Sequence, residues 1–316
     1  MKLQTHIPLS KETRHPIDYD SKTLLLGSCF SENIGNKLEY FKFQSTQNPF
    51  GILFHPKAIE TFIENAINLK EYDENDVFYL NERYHCFDSH SKLSTASKEE
   101  LLINLNAAVQ QIHKRLTEST HIIITLGTAW AYRLIESDTI VANCHKVPQK
   151  KFLKELLSVD EIAESLEAIV SLVRSINPDV NFMFTVSPVR HLKDGFVQNQ
   201  QSKAHLISAI HHVVEPRKRI FYFPSYEIMM DELRDYRFYA EDMIHPSKTA
   251  IDYIWSKFTE SWVSESAFKT MKEVASIQKR MLHKPFNATS EEHQQFLEKL
   301  SNDVSALQKS NPNIIF

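Results

Sequence analysis

A serine, an aspartate and a histidine stand in this chain where folding can bring them together for acyl transfer. Ser28 follows the apolar run Leu24-Leu25-Leu26-Gly27 and precedes a polar, helix-compatible segment at Ser31-Glu32-Asn33. A serine just past a buried strand, at a strand-to-helix turn, lifts its hydroxyl above the sheet edge. Its N–H then sits near a helix N-terminus, where an oxyanion is favoured. The same position suits a helix N-cap, so Ser28 by itself is a cap as readily as a nucleophile. A nucleophilic hydroxyl also needs a base. Asp242 and His245, three residues apart in Glu241-Asp242-Met243-Ile244-His245-Pro246-Ser247, offer one together with an orienting acid. At the entry to a helix whose first turn Pro246 sets, the carboxylate can accept from one imidazole nitrogen while the other faces outward.

Other residues compete for chemistry. Cys29 lies beside Ser28, and a thiolate paired with His245 would be the stronger nucleophile. Neighbours in an extended segment point to opposite sides, so Cys29 is expected to be a buried packing residue. Fifteen histidines invite metal ligation at His85, Asp88 and His90 or at Cys144-His145. No H-E-x-x-H or paired C-x-x-C is present, so no metal is expected. The turn Gly27-Ser28-Cys29-Phe30-Ser31 matches neither G-x-x-x-x-G-K-[ST] nor G-x-G-x-x-G, which argues against nucleotide binding; no cofactor is expected. Arg217-Lys218-Arg219 reads as a solvated strand entry rather than a nucleic-acid site.

Strands must carry these residues to one edge. Residues 1–22 are polar and read as an entry arm. The clearest strand is Ile122-Ile123-Ile124-Thr125-Leu126, a β-branched run suited to burial on both faces and closed by Gly127. Residues 23–26, 41–45, 182–186 and 220–223 complete five strands. Helical periodicity at 31–39, 56–67, 97–117, 160–175, 198–214 and from 246 onward alternates with them. Such alternation predicts an α/β fold: a three-layer α/β/α sandwich on a mostly parallel five-stranded sheet of order 2-1-3-4-5. Val77–Leu80 and Arg83–Phe87 flank Asn81-Glu82 and predict a hairpin within an inserted region at about 70–96. Residues 1–264 are thus one domain. Residues 265–316 form a polar helical extension, a candidate homodimer contact, in which Thr289 and Glu292 can make a capping box.

The totals narrow the class. In 316 residues there are five glycines, where average usage of about 7% would give roughly twenty-two. Gly27 and Gly127 each follow a strand-like run and Gly51 lies in the loop after another, the ends at which open α/β sheets bind ligands. A net charge of −4 argues against a broad nucleic-acid or membrane surface. Three scattered cysteines, and the lack of an apolar leader or an 18-residue apolar run, predict a reduced, cytoplasmic chain with no membrane partner.

Gly27-Ser28-Cys29-Phe30, followed by Ser31-Glu32-Asn33-Ile34-Gly35, resembles the motif that names the GSCFA family, which is similar to the SGNH (GDSL-like) hydrolases. Asn48-Pro49-Phe50-Gly51, Leu126-Gly127-Thr128-Ala129-Trp130, Asn143-Cys144-His145-Lys146, Ser187-Pro188-Val189-Arg190-His191 and Asp242-Met243-Ile244-His245-Pro246-Ser247 continue the resemblance in order. It covers about residues 20–260. It implies a flavodoxin-like sandwich and an esterase or related acyl hydrolase, with Ser28 as nucleophile, His245 as general base and Asp242 as orienting acid. SGNH hydrolases build their oxyanion hole from the nucleophile's N–H, a glycine N–H after the second strand and an asparagine amide after the third. By this resemblance Ser28 and Gly51 fill the first two places. Ala129 stands where the asparagine belongs, and losing one donor costs roughly 10²–10³ in rate. Asn143 is then the expected replacement, or Thr128 donates. Asn48, Thr128, His145, Arg190 and His191 are expected to contact substrate, a guanidinium there holding a carboxylate or phosphate; bracing their loops is the alternative. The expected substrate is a carbohydrate or other small-molecule ester carrying acetyl or a related acyl group. An acyltransferase on the same triad, or a catalytically weak binding protein on this fold, are the competing outcomes.

Overall fold

In the computed structural model, which describes residues 5–287 and 289–316, five short strands form one parallel sheet. Residues 1–4 of the expected entry arm lie outside the described residues. The chain runs β1 (Lys22–Gly27), α1 (Cys29–Tyr40), β2 (Gln44–Gln47), α2 (Pro56–Ile67), β3 (Val77–Leu80), β4 (Arg83–Cys86), α3 (Lys98–Glu118) and β5 (His121–Leu126). It continues through β6 (Trp130–Leu134), β7 (Thr139–Val141), β8 (Phe152–Leu156), α4 (Val159–Ile176), β9 (Asn181–Val186), α5 (Phe196–Val213) and β10 (Ile220–Tyr222). A short helical turn α6 (Ser225–Glu227), then α7 (Lys248–Trp262), α8 (Glu265–Met281) and α9 (Glu291–Ser310), complete it. The sheet order is β10-β9-β5-β1-β2 with every neighbouring pair parallel, which is the expected 2-1-3-4-5 in core-strand numbering.

Period-two alternation along the buried strands divides the core into two layers. Leu24, Leu26, Ile122, Ile124, Phe182 and Phe184 face α2–α5, whereas Leu25, Ile123, Met183 and Phe221 face α1 and α7. The apolar stripes of α8 and α9, including Met271, Val274, Ile277, Leu300 and Leu307, join that second layer, so the C-terminal helices pack inward. Among the described residues no helix is long and apolar enough to cross a membrane.

Two of three local expectations change. The hairpin β3–β4 forms, and its turn residues Asn81 and Glu82 have φ of 50° and 61°, the paired left-handed geometry of a tight hairpin. Residues 130–156, to which the sequence pattern assigns no element, form a separate antiparallel sheet of order β7-β6-β8. Helix caps also shift. Ser247 rather than Pro246 opens α7 by accepting from Ala250, and Ser290 rather than Thr289 caps α9 by accepting from His293.

Candidate active site

The C-terminal edge of the sheet is assembled from the turns after β1, β2, β5 and β9. Gly27 has φ +121°, and a Cβ built on it would lie 2.1 Å from the Thr125 carbonyl oxygen, so only glycine fits where β1 presses against β5. Ser28 comes next, fully buried, with its Oγ accepting from Phe30 N–H at 3.3 Å as the N-cap of α1. Cap and strand-end serine are therefore one residue. The Ser28 N–H donates to Thr125 O at 3.0 Å, and the Gly51 N–H donates to Asn48 O at 2.8 Å, so both expected backbone donors are engaged within the fold.

Asn48 closes this corner. Its N–H donates to Leu25 O, and its Oδ1 accepts from Gly27 N–H at 2.9 Å. That bond fixes which way the amide faces and leaves Nδ2 buried without a partner. Leu53 N–H donates to Gly27 O, and Phe54 O accepts from both Gly127 and Thr128 N–H, so the segment after β2 ties the Ser28 turn to the turn after β5.

Asp242 and His245 sit half-exposed on the loop before α7. His245 Nδ1 lies 2.7 Å from Asp242 Oδ2, while Asp242 Oδ1 accepts from the N–H groups of Ile244 and His245. The His245 N–H, then its imidazole, and then the Ile244 N–H hold the carboxyl down at about 2, so it stays ionised. This loop is joined to the turn after β9 by Arg190 N–H donating to Ile244 O at 3.2 Å. Ser28 Oγ bonds Phe30 N–H rather than His245.

His191 stands between the two halves. Its ring meets Phe54 edge-on at 5.4 Å, and its Nε2 is buried without a partner, 3.2 Å from where a Gly127 Cβ would be. Burial, then the charges of Lys203 and His245, push it down to about 3, so it is a neutral imidazole. His191 also lines a cavity of about 580 Å³ together with Phe54, Thr128, Trp130, Tyr132, Asn143 and His145. That volume lies within the ordinary range for small-ligand sites. Of the expected substrate contacts, Thr128, His145 and His191 thus share this cavity with Asn143. Ser28, Gly51, Asn48, Asp242 and His245 lie outside its lining.

Inside the cavity, Asn143 Oδ1 accepts from His145 N–H at 2.9 Å, and His145 Nε2 meets Cys86 O at 2.7 Å. Burial lowers His145 to about 4. Thr128 Oγ1 accepts from Trp130 N–H and pairs with Ser202 Oγ. Arg190 is directed elsewhere: Nε donates to the Tyr239 hydroxyl at 3.3 Å and Nη2 to Met230 Sδ. Cys29 is only half-buried, and burial followed by Glu32 raises its thiol, which keeps it protonated and disfavours a thiolate. Among the described residues no group of three or more His, Cys, Asp or Glu side chains is placed to hold a metal ion.

Sequence reasoning overlooked the helix behind this edge. On α5, Asn199 Oδ1 accepts from His191 N–H, Ser202 Oγ accepts from Ala129 N–H, and Lys203 Nζ donates to Gly127 O and Ser187 O. The signal was available. Asn199, Ser202 and Lys203 continue the i, i+3, i+4 stripe of Leu206, Ala209, Ile210 and Val213, so polar residues occupy the core face of an amphipathic helix.

Comparison with known proteins bears on these residues. The family model described as "GSCFA family" matches residues 22–258, and that described as "GSCFA domain protein, C-terminal domain" matches residues 274–316. Comparison with curated protein sequences gives no match. Among solved structures, the crystal structure of an acetyl esterase mutant with acetate ion is similar at a TM-score of 0.36 and 9% identity, covering 80% of this chain and 99% of that one. A likeness of that size carries no argument about chemistry. The family match, by contrast, spans every turn that builds the edge, and by it the chain belongs to the GSCFA family.

Proposed function

We propose that the chain is a serine esterase that removes a small acyl group, acetyl or similar, from a carbohydrate or other small-molecule ester. The observation that carries this reading is the Asp242–His245 pair. Both carboxylate oxygens are fixed, one by two backbone N–H groups and one by Nδ1, which leaves the opposite imidazole nitrogen free to take a proton. The Arg190 N–H to Ile244 O bond ties this loop to the turn after β9, and Lys203 ties that turn to the one after β5, which supports placing the pair at the same sheet edge. In the reaction Ser28 Oγ attacks the ester carbonyl carbon as His245 accepts the hydroxyl proton. The tetrahedral adduct expels the alcohol, protonated by His245, and water then cleaves the acyl-serine by the reverse proton path. The anionic oxygen needs a donor that the fold has not already used. We assign Asn48 Nδ2, with the Gly51 and Ser28 N–H groups contributing only where their present hydrogen bonds shift; Asn143, whose Oδ1 rather than its amide nitrogen is engaged, belongs to the cavity lining, which Ser28 does not join.

The cavity beside the edge favours one second reading, transfer of the acyl group to an alcohol bound there rather than to water. A serine-directed fluorophosphonate is the first test. Wild type should be labelled and Ser28→Ala should not, while the variant stays folded, since losing a cap costs only about 1 kcal/mol. Equal labelling of both would refute Ser28 as nucleophile, and no labelling of either points to a binding protein. Product analysis with and without an added acceptor alcohol separates transfer from hydrolysis.

A further inference from the structure

Lys203 is fully buried on α5, with Nζ 2.8 Å from Gly127 O and 2.8 Å from Ser187 O. Among the described residues no carboxylate forms an ion pair with it. A lysine removed from water without an anionic partner is expensive, and such side chains are almost never fully buried unpaired. An apolar side chain of the same length would cost the fold less. The two carbonyls it holds belong to Gly127 and Ser187, just after β5 and β9; Thr128 follows the first directly, and His191 lies four residues beyond the second. Neighbours on the same helix face grip the same turns, Ser202 through Ala129 N–H and Asn199 through His191 N–H.

We infer that Lys203 is a positioning residue whose buried ammonium clamps the turns after β5 and β9 together and so fixes Thr128 and His191 relative to Ser28. Its kinetic consequence rests on the esterase reading above. A charged N–H donor bonds a carbonyl roughly twice as strongly as a neutral one, so the clamp loosens when the ammonium loses its proton. Four groups face it: Cys29 from α1, Arg190 and His191 from the turn after β9, and Tyr226 from α6. Burial dominates and pushes Lys203 down to about 7, so the ammonium is lost within the working range of an enzyme.

The test compares wild type with Lys203→Met and Lys203→Arg, using 4-nitrophenyl acetate turnover and fluorophosphonate labelling between about pH 6 and 9. Lys203→Met should lower kcat on the order of 10²-fold with KM nearly unchanged, the cost of misplacing reacting groups by about 1 Å. Wild type should lose rate as pH rises through neutrality, whereas Lys203→Arg, which keeps its charge, should not. Unchanged kcat in folded Lys203→Met, or the same alkaline loss in wild type and Lys203→Arg, overturns the inference. If circular dichroism shows Lys203→Met unfolded, the pH comparison of wild type with Lys203→Arg decides. If wild type turns over no ester and takes no label, the esterase reading has failed separately. The clamp is then read from hydrogen-exchange protection of the Gly127–Trp130 amides: a fall above neutral pH in wild type but not in Lys203→Arg supports it, and identical pH dependence overturns it.

Discussion

Replacing Gly27 by alanine should damage stability and chemistry together, because one methyl group lands on the strand that positions Ser28. The added Cβ would lie 2.1 Å from Thr125 O and 2.9 Å from its carbonyl carbon, all of it backbone. Ordinary C···O contacts are about 3.3 Å or longer, so β1 and β5 must part by roughly 1 Å. The φ of +121° adds strain of about 1–3 kcal/mol for any residue with a side chain. Separation also weakens the Ser28 N–H to Thr125 O bond, worth about another 1 kcal/mol. The expected loss is thus about 2–4 kcal/mol, and a displacement of that size at Ser28 should cost on the order of 10²-fold in labelling rate. Gly195→Ala is the control. Its φ is +105°, but its Cβ meets Gln198 Oε1 at 2.4 Å, the movable end of a side chain, so it should show the backbone strain alone and keep its labelling rate. Urea denaturation followed by circular dichroism gives the first quantity and fluorophosphonate kinetics the second. A Gly27→Ala protein as stable as wild type, or one that folds and labels at the wild-type rate, would refute the reasoning.

Two further outcomes follow. Asn48→Asp keeps the oxygen that accepts from Gly27 N–H but exchanges the free amide donor for an acceptor, so labelling of the folded variant should slow by roughly 10²–10³; an unchanged rate removes Asn48 from the oxyanion site. His55, His145 and His191 are held neutral by burial at about 4, 4 and 3 against an ordinary value of 6.5. The unfolded chain therefore binds protons that the folded one does not. Stability should be complete above about pH 6.5 and fall as pH drops towards 4, seen as a declining urea midpoint, and a flat midpoint across that window contradicts the burial of these rings.

The residues that announced the fold are those whose local and tertiary preferences agree. Ile122–Leu126 is β-branched, uncharged and closed by a glycine, and it became the central strand; Leu24–Leu26 became its neighbour. Asp242 and His245 were legible because a contact between residues three apart needs only a turn, and the turn formed. The small sheet β6–β8 was not legible. Its strands are mixed in polarity, and β6 pairs with β8 across the 17 residues 135–151, so no local signal distinguishes them from loop. The state of each backbone donor was equally out of reach. Whether Ser28 or Gly51 offers a free N–H depends on where Thr125 and Asn48 present their carbonyls, and that is a property of the assembled edge.

α5 shows how that gap can be narrowed. Its buried stripe begins with Asn199, Ser202 and Lys203 and turns apolar only from Leu206 onward. Folding tolerates polar groups on a core face only when each finds a partner, and the partners that are unmet at the C-terminal edge of a parallel sheet are the N–H and C=O groups of its turns. A helix that changes from polar to apolar along one stripe is therefore reporting that its first turns abut the sheet's ligand-binding edge and its later turns the sheet itself. Here the polar end meets Gly127, Ala129, Ser187 and His191. On the esterase reading, the turn after β5 carries Ala129 where an oxyanion asparagine is expected, and that same turn is the one α5 grips most heavily, through Ser202 and Lys203. Catalysis at this edge would then depend on how firmly a turn is held as much as on which amide it offers.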